Sequence, residues 1–167
     1  MNKIRMIALA ACMAATLDAS AQEQEIRLFS HRGGRMEHDE NTLPAFKASY
    51  DAGLRGFETD IRMTRDGALV ITHDSSLERT TDGTGTVEEK TEAEIRRLRT
   101  KQGNKVLFLD ELLEFLEGKE GLYVEFEMKT KPVELYPEER LHAYCDKLYD
   151  AVMAVKPADA VFVFTSG

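Results

Sequence analysis

The stretch Gly56-Phe57-Glu58-Thr59-Asp60-Ile61-Arg62-Met63-Thr64-Arg65-Asp66-Gly67-Ala68-Leu69-Val70-Ile71-Thr72-His73-Asp74 decides the fold. Its first part alternates. Phe57, Thr59, Ile61 and Met63 point one way, while Glu58, Asp60 and Arg62 point the other. Period-2 alternation predicts a strand with two unlike faces. One face is suited to packing on helices. The other carries two carboxylates about 7 Å apart along the strand. Carboxylates that close repel unless a cation lies between them. Asp66-Gly67 is a strong hairpin signal. The return run Ala68 to Thr72 is therefore expected to deliver His73-Asp74 beside Glu58 and Asp60. Seen alone, such a pair is usually a solvated face and such a histidine usually structural. The hairpin that couples them argues for a site.

Working outward, the next strands and helices alternate. Ile26 to His31 reads as a short apolar strand ending in His31-Arg32-Gly33-Gly34, with glycines that let backbone pass close to a ligand. Asn41 or Thr42 is expected to cap a helix carrying Pro44 in its first turn, with Leu43, Phe46 and Tyr50 as its apolar stripe and Gly53 as its stop. Strand, helix and strand in succession mark a parallel α/β unit. Residues 75–108 read as an insertion over the site, with Thr91-Glu92-Ala93-Glu94 opening a short helix to about Leu98. Asp110 is expected to cap a helix with Leu112, Leu113 and Leu116 inward. Leu122 to Lys129 is the next strand. Val124, Phe126 and Met128 face helices, and Tyr123, Glu125, Glu127 and Lys129 share the other face. Buried charges need partners, so that face must meet an ion or water. Pro137 to Val155 is a long helix with Leu141, Cys145, Leu148, Val152 and Val155 on one stripe. Ala160 to Thr165 is the last strand. His38 and His142 fall where solvent is expected.

Composition narrows the partners. The chain has 167 residues, a formal net charge of −8 and a pI near 5.1. That argues against nucleic acid or an anionic membrane surface as the main partner. Residues 1–21 read as a signal peptide: Lys3 and Arg5, an apolar core from Met6 to Leu17, and Ala19-Ser20-Ala21 before a cleavage at Gln22. The core is too short for stable membrane insertion. The expected destination is the periplasm or the exterior. A rival reading takes Leu9-Ala10-Ala11-Cys12 as a lipoprotein box. Without Cys12, Cys145 is the one cysteine left, so no intramolecular disulfide is expected, and Cys145 reads as core rather than reactive.

The strand ends collect the chemistry. In a parallel α/β barrel, groups at the C-terminal ends of strands converge on one site. Glu58, Asp60 and Glu127 make a hard-oxygen site suited to Ca²⁺ or Mg²⁺. Glu125 is a substitute ligand one pleat deeper. His31 and His73 titrate near neutrality and suit base and acid roles. Arg32 and Lys129 supply fixed charge for an anion. Together these point to phosphate-ester chemistry.

The sequence resembles the glycerophosphodiester phosphodiesterases. The matching segments are His31-Arg32-Gly33, Glu40-Asn41-Thr42, Glu58-Thr59-Asp60, Thr64-Arg65-Asp66-Gly67, His73-Asp74, Arg79-Thr80-Thr81-Asp82-Gly83 and Glu127-Met128-Lys129, in the family's order over residues 28–129. The resemblance implies a TIM (β/α)₈ barrel of the phospholipase-C-like phosphodiesterase type. It implies metal-dependent hydrolysis of a small-molecule glycerophosphodiester to glycerol 3-phosphate and an alcohol. By position it implies His31 and His73 as the catalytic pair, Glu58, Asp60 and Glu127 as metal ligands, and Arg32 and Lys129 on the phosphate. Two segments depart: His38-Asp39 stands where the family often has a Pro before the Glu, and Phe164-Thr165-Ser166 where a Ser-Phe pair is common. Such a barrel needs about 250 residues. The expectation is therefore a partial domain over residues 22–167, cut after about four barrel strands plus a β-hairpin arm. Its open sheet edges would invite self-association. The alternatives are a sphingomyelinase-D-like or other lipid phosphodiesterase, a metal-binding module without turnover, and a structural fragment.

Overall fold

The computed structural model describes residues 28–156 and 159–164. The expected signal segment, Cys12, the start of the first strand at Ile26 and the end of the last at Thr165 lie outside them. The alternating run becomes a strand, β2, at Gly56–Met63. It pairs in parallel with β1, Phe29–His31, on one side. On the other it pairs in parallel with β4, Tyr123–Met128, which in turn pairs with β5, Asp159–Phe164. The hairpin arm, β3, is Leu69–Ile71 and lies antiparallel against Ile61–Met63. The strand order is β1-β2-β4-β5 with β3 off the path. Among the described residues β1 and β5 are the sheet's open edges. Gly56 lets β2 start close against the chain entering β1: a Cβ there would collide with the Leu28 carbonyl oxygen.

Helices cover one face. These are α1 (Leu43–Asp51), α3 (Leu109–Leu116) and α4 (Glu138–Val155). Phe46, Phe57, Ile61, Leu112, Phe126, Tyr144 and Leu148 meet in the main core. Both strands keep the side-chain alternation read from the sequence. In β4, Val124, Phe126 and Met128 are buried, and Tyr123, Glu125 and Glu127 are half-buried on the other face. The insertion has its own small core, with Val70, Leu77, Val87, Ile95, Val106 and Phe108.

Local signals hold with three corrections. Thr42 caps α1, accepting from Ala45 N, and leaves Asn41 for other work. The capping box at Thr91 and Glu94 forms, but its helix α2 spans only Glu92–Ile95. The chain continues in tighter turns to Leu98, and Arg99 and Thr100 then bridge to Lys105 and Thr81. Phe108, not Asp110, is the N-cap of α3. Glu111 reaches back to accept from the Phe108 amide at 3.1 Å, which leaves Asp110 in the first turn, where its charge suits the helix dipole. On α4 the buried residues are Tyr144, Leu148 and Val152; Cys145 is a half-buried free thiol. No helix among the described residues is long and apolar enough to cross a membrane.

Candidate active site

The sheet's uncovered face carries the predicted residues at its C-terminal strand ends. Parallel register sets Glu58 opposite His31 and Glu125, and Asp60 opposite Glu127. Carboxylate oxygens of Glu58, Asp60 and Glu127 lie within 4.8 Å of one another. Glu125, one pleat deeper, is outside that group; the Tyr123 hydroxyl lies 3.5 Å from it.

These carboxylates fit a hard divalent cation. Oε1 of Glu58 is buried and accepts no hydrogen bond, and the buried Oδ1 of Asp60 meets only an ammonium, which is what a cation-seeking donor set looks like. The strain of bringing them together is visible in Glu58. Burial, then the Asp60 charge, push its carboxyl up to about 7. The remaining lone pairs are held. Arg32 N donates to Oε2 of Glu58 at 3.0 Å, and Asn41 Nδ2 donates to Oδ2 of Asp60 at 2.9 Å.

The two cations read as phosphate-binding stand against this cluster. The Lys129 ammonium lies 3.0 Å from Oδ1 of Asp60 and also contacts the Glu127 carboxylate. The Arg32 guanidinium is buried, with Nε 3.0 Å from Asp60 and a terminal nitrogen 3.2 Å from Glu40. Both therefore neutralise carboxylates here. Arg32 takes a left-handed backbone, φ 54°, at the start of the Gly33-Gly34 turn. A Cβ at Gly33 would press on Ala45 of α1, so a larger residue would displace that turn.

His31 is about half exposed, with Nε2 3.6 Å from Oε2 of Glu58. Partial burial, then the charges of Arg32 and Arg35, hold its pKa below the ordinary imidazole value. The hairpin brings His73 in as expected, Thr72 N donating to the Asp60 carbonyl at 3.0 Å. Nδ1 of His73 lies 2.6 Å from Oδ1 of Asp74. Burial would raise the Asp74 carboxyl, but hydrogen bonds from Arg79 and His73 bring it down to about 2. Arg79 also pairs with both oxygens of Glu40, at 2.7 and 3.0 Å. A chain of alternating charges thus runs Asp74, Arg79, Glu40, Arg32, Asp60, with the His73 ring against Asp74 at its head. His38 and His142 are exposed and away from it.

Sequence reasoning gave Glu40, Asp74 and Arg79 no role in the site and offered Asn41 only as a helix cap, although each stood in a quoted segment. Asn41 carried a usable signal. It has φ 56°, a conformation asparagine tolerates better than most residues, and it directly precedes the cap Thr42.

The model of the glycerophosphoryl diester phosphodiesterase family matches residues 31–163. A glycerophosphodiester phosphodiesterase of Caldanaerobacter subterraneus subsp. tengcongensis is 37% identical over 123 residues, 68% of this chain and 50% of that protein. A glycerophosphodiester phosphodiesterase from Agrobacterium tumefaciens superposes with a TM-score of 0.71 at 29% identity, covering 85% of this chain and 59% of that one. A phosphodiesterase of Oleispira antarctica, solved in complex with the product sn-glycerol-3-phosphate, gives a TM-score of 0.69 at 26% identity, covering 83% and 56%. The chain spans about half the length of the curated relatives named first in these comparisons.

Proposed function

The chain belongs to the glycerophosphoryl diester phosphodiesterase family, and from that premise we propose that its site hydrolyses a glycerophosphodiester to glycerol 3-phosphate and an alcohol. The observation that carries this is the convergence of Glu58, Asp60 and Glu127 beside His31 on one sheet face. Glu58, Asp60 and Glu127 would hold the divalent ion, Ca²⁺ or Mg²⁺. When bound, it supplies Lewis-acid neutralisation of the phosphoryl oxygens.

The chain's own residues do the rest. Arg32 and Lys129 exchange their carboxylate contacts for the phosphate oxygens. His31, favoured as the neutral imidazole, accepts the proton of the attacking hydroxyl. His73, with Nδ1 held by Asp74, delivers a proton from Nε2 to the leaving alcohol oxygen. The attacking glycerol hydroxyl bonds to phosphorus as the phosphorus–oxygen bond to that alcohol breaks, and water then opens the cyclic phosphate so formed to glycerol 3-phosphate. Each proton transfer is of the kind worth about 10²–10⁴ in rate.

The product tests the reading. ³¹P spectroscopy of the chain with glycerophosphocholine and each ion should show glycerol 3-phosphate accumulating. A cyclic phosphate as the end product, or ceramide phosphate from sphingomyelin instead, would move the chain to a sphingomyelinase-D-like reaction. Ion binding without any product would leave a metal-binding module.

Two further parts of the reading concern surroundings. The basic start and apolar core of residues 1–21 support export to the periplasm or the exterior. Mass spectrometry of the exported chain should find Gln22 first, and a lipidated Cys12 would refute this. The open edges at β1 and β5 support self-association of the chain. Light scattering should report dimers or larger species, and a stable monomer would refute it.

A further inference from the structure

β2 carries a third charged side chain on the face of Glu58 and Asp60, and no role in the chemistry has been given to it. Arg62 is buried. Its Nε donates to the His73 carbonyl at 2.9 Å. One terminal nitrogen donates to Oε1 of Glu88 at 2.7 Å and to the Lys131 carbonyl at 2.8 Å. Glu88 lies in a 3₁₀ turn of the insertion, Val87–Glu89, and is itself buried. It accepts from the Ser75 hydroxyl at 2.6 Å and from the Tyr136 hydroxyl at 2.7 Å. Burial and the Glu88 charge push the Tyr136 phenol well up, so it stays protonated and donates.

Arg62 and Glu88 therefore join the segment after β3, the insertion and the loop after β4 at one buried point. A buried ion pair gives little stability over well-packed apolar residues. Its distinctive consequence is geometric. A guanidinium donates in a fixed planar fork, so fixing its ends on Glu88 and Lys131 also fixes where Nε meets the His73 peptide. Asp74 holds the ring of the same residue at Nδ1. Main chain and ring are then restrained from opposite ends.

We propose that Arg62, backed by Glu88, is a positioning residue for His73: its bond to the His73 carbonyl sets the main chain from which the imidazole reaches the site. This rests on the reading of His73 as a proton-transfer group. Misplacing such a group by about 1 Å costs about 10²-fold in rate.

The test compares Arg62→Lys with Tyr144→Phe. Arg62→Lys keeps the charge beside Glu88 but loses the fork. Tyr144→Phe loses a buried hydrogen bond to the Ile61 carbonyl of the same strand and leaves His73 untouched. Long-range ¹H–¹⁵N spectra of the imidazoles and hydrolysis kinetics are recorded for both. The wild-type chain should show Nδ1 of His73 protonated towards Asp74, leaving Nε2 as the nitrogen that takes up and gives up the transferred proton. Arg62→Lys should show mixed or broadened His73 signals and a kcat lowered about 10²-fold, with KM changed by less than about threefold. Tyr144→Phe should melt earlier and keep both. If Arg62→Lys does not fold, Glu88→Gln, which keeps the side-chain shape, should displace His73 in the same way. An unaltered His73 tautomer with wild-type kcat in Arg62→Lys overturns the inference, as do equal losses in Tyr144→Phe. If the wild-type chain hydrolyses nothing, the functional reading fails and the His73 spectra still decide this one.

Discussion

Asn41 holds Asp60: its carboxamide nitrogen lies 2.9 Å from Oδ2, while Oδ1 of the same carboxylate meets the Lys129 ammonium at 3.0 Å. One oxygen is fixed by the amide, and the other faces the ammonium that a metal ion would displace. Groups that orient a ligand in this way are worth about 10–100-fold in metal affinity. Asn41→Gly isolates the amide, because glycine takes φ 56° without strain. Divalent-ion affinity measured by calorimetry should fall by about that factor.

Lys129 should act in the opposite sense on the ion. Its ammonium, 3.0 Å from Asp60, occupies the field that a cation would take. Lys129→Met should tighten ion binding several-fold while raising KM for the phosphodiester. Weaker ion binding in this variant would show that Lys129 organises the carboxylates rather than competing for them.

The ion-free chain should have an unusual pH profile. Burial and Asp60 raise Glu58 from 4.5 to about 7. Between those values the folded chain holds a proton that the unfolded chain has released. This contribution is fully present below about pH 4.5 and lost as pH rises through about 7, at most about 3 kcal/mol. Asp74 has the reverse sign: held at about 2 against an ordinary 3.8, it stabilises above its ordinary value and is lost as pH falls through about 2. In chelator, Tm should therefore decline from about pH 5 to about pH 8, and Ca²⁺ or Mg²⁺ should restore it. A flat profile would mean that Glu58 is not under this strain.

The histidines should separate cleanly. His31→Ala and His73→Ala should each lose at least about 10²-fold in kcat, the scale of general acid–base groups. His38→Ala and His142→Ala, both exposed, should change little. Near-normal turnover in His73→Ala on a substrate with a poor leaving group would break the pairing.

The sequence made the hairpin legible because its cues are local. Alternation from Phe57 to Met63 and the Asp66-Gly67 turn lie within a few residues of what they determine. The same pleat arithmetic separated Glu127 from Glu125, and the structure keeps that separation. What stayed hidden depends on distant partners. Asn41 meets a carboxylate 19 residues on, through a left-handed backbone. Arg62 meets Glu88, 26 residues on, and Lys131, 69 residues on. Tyr144 stands one turn before Leu148 on the buried face of α4, and its hydroxyl finds the Ile61 carbonyl on β2. Periodicity carries no information about such pairings. The positions of Arg32 and Lys129 against carboxylates were equally out of reach, since their charge fitted a phosphate as well as an aspartate.

The most direct measurement is hydrolysis of glycerophosphocholine by the chelated chain during titration with Ca²⁺ or Mg²⁺, with ion binding followed in the same samples. A site built on Glu58, Asp60 and Glu127 predicts no turnover without ion, and recovery that saturates as one ion binds per chain. Both signals should be lost together in Glu58→Gln, Asp60→Asn and Glu127→Gln. Full turnover in excess chelator, or ion binding indifferent to those three substitutions, would contradict it.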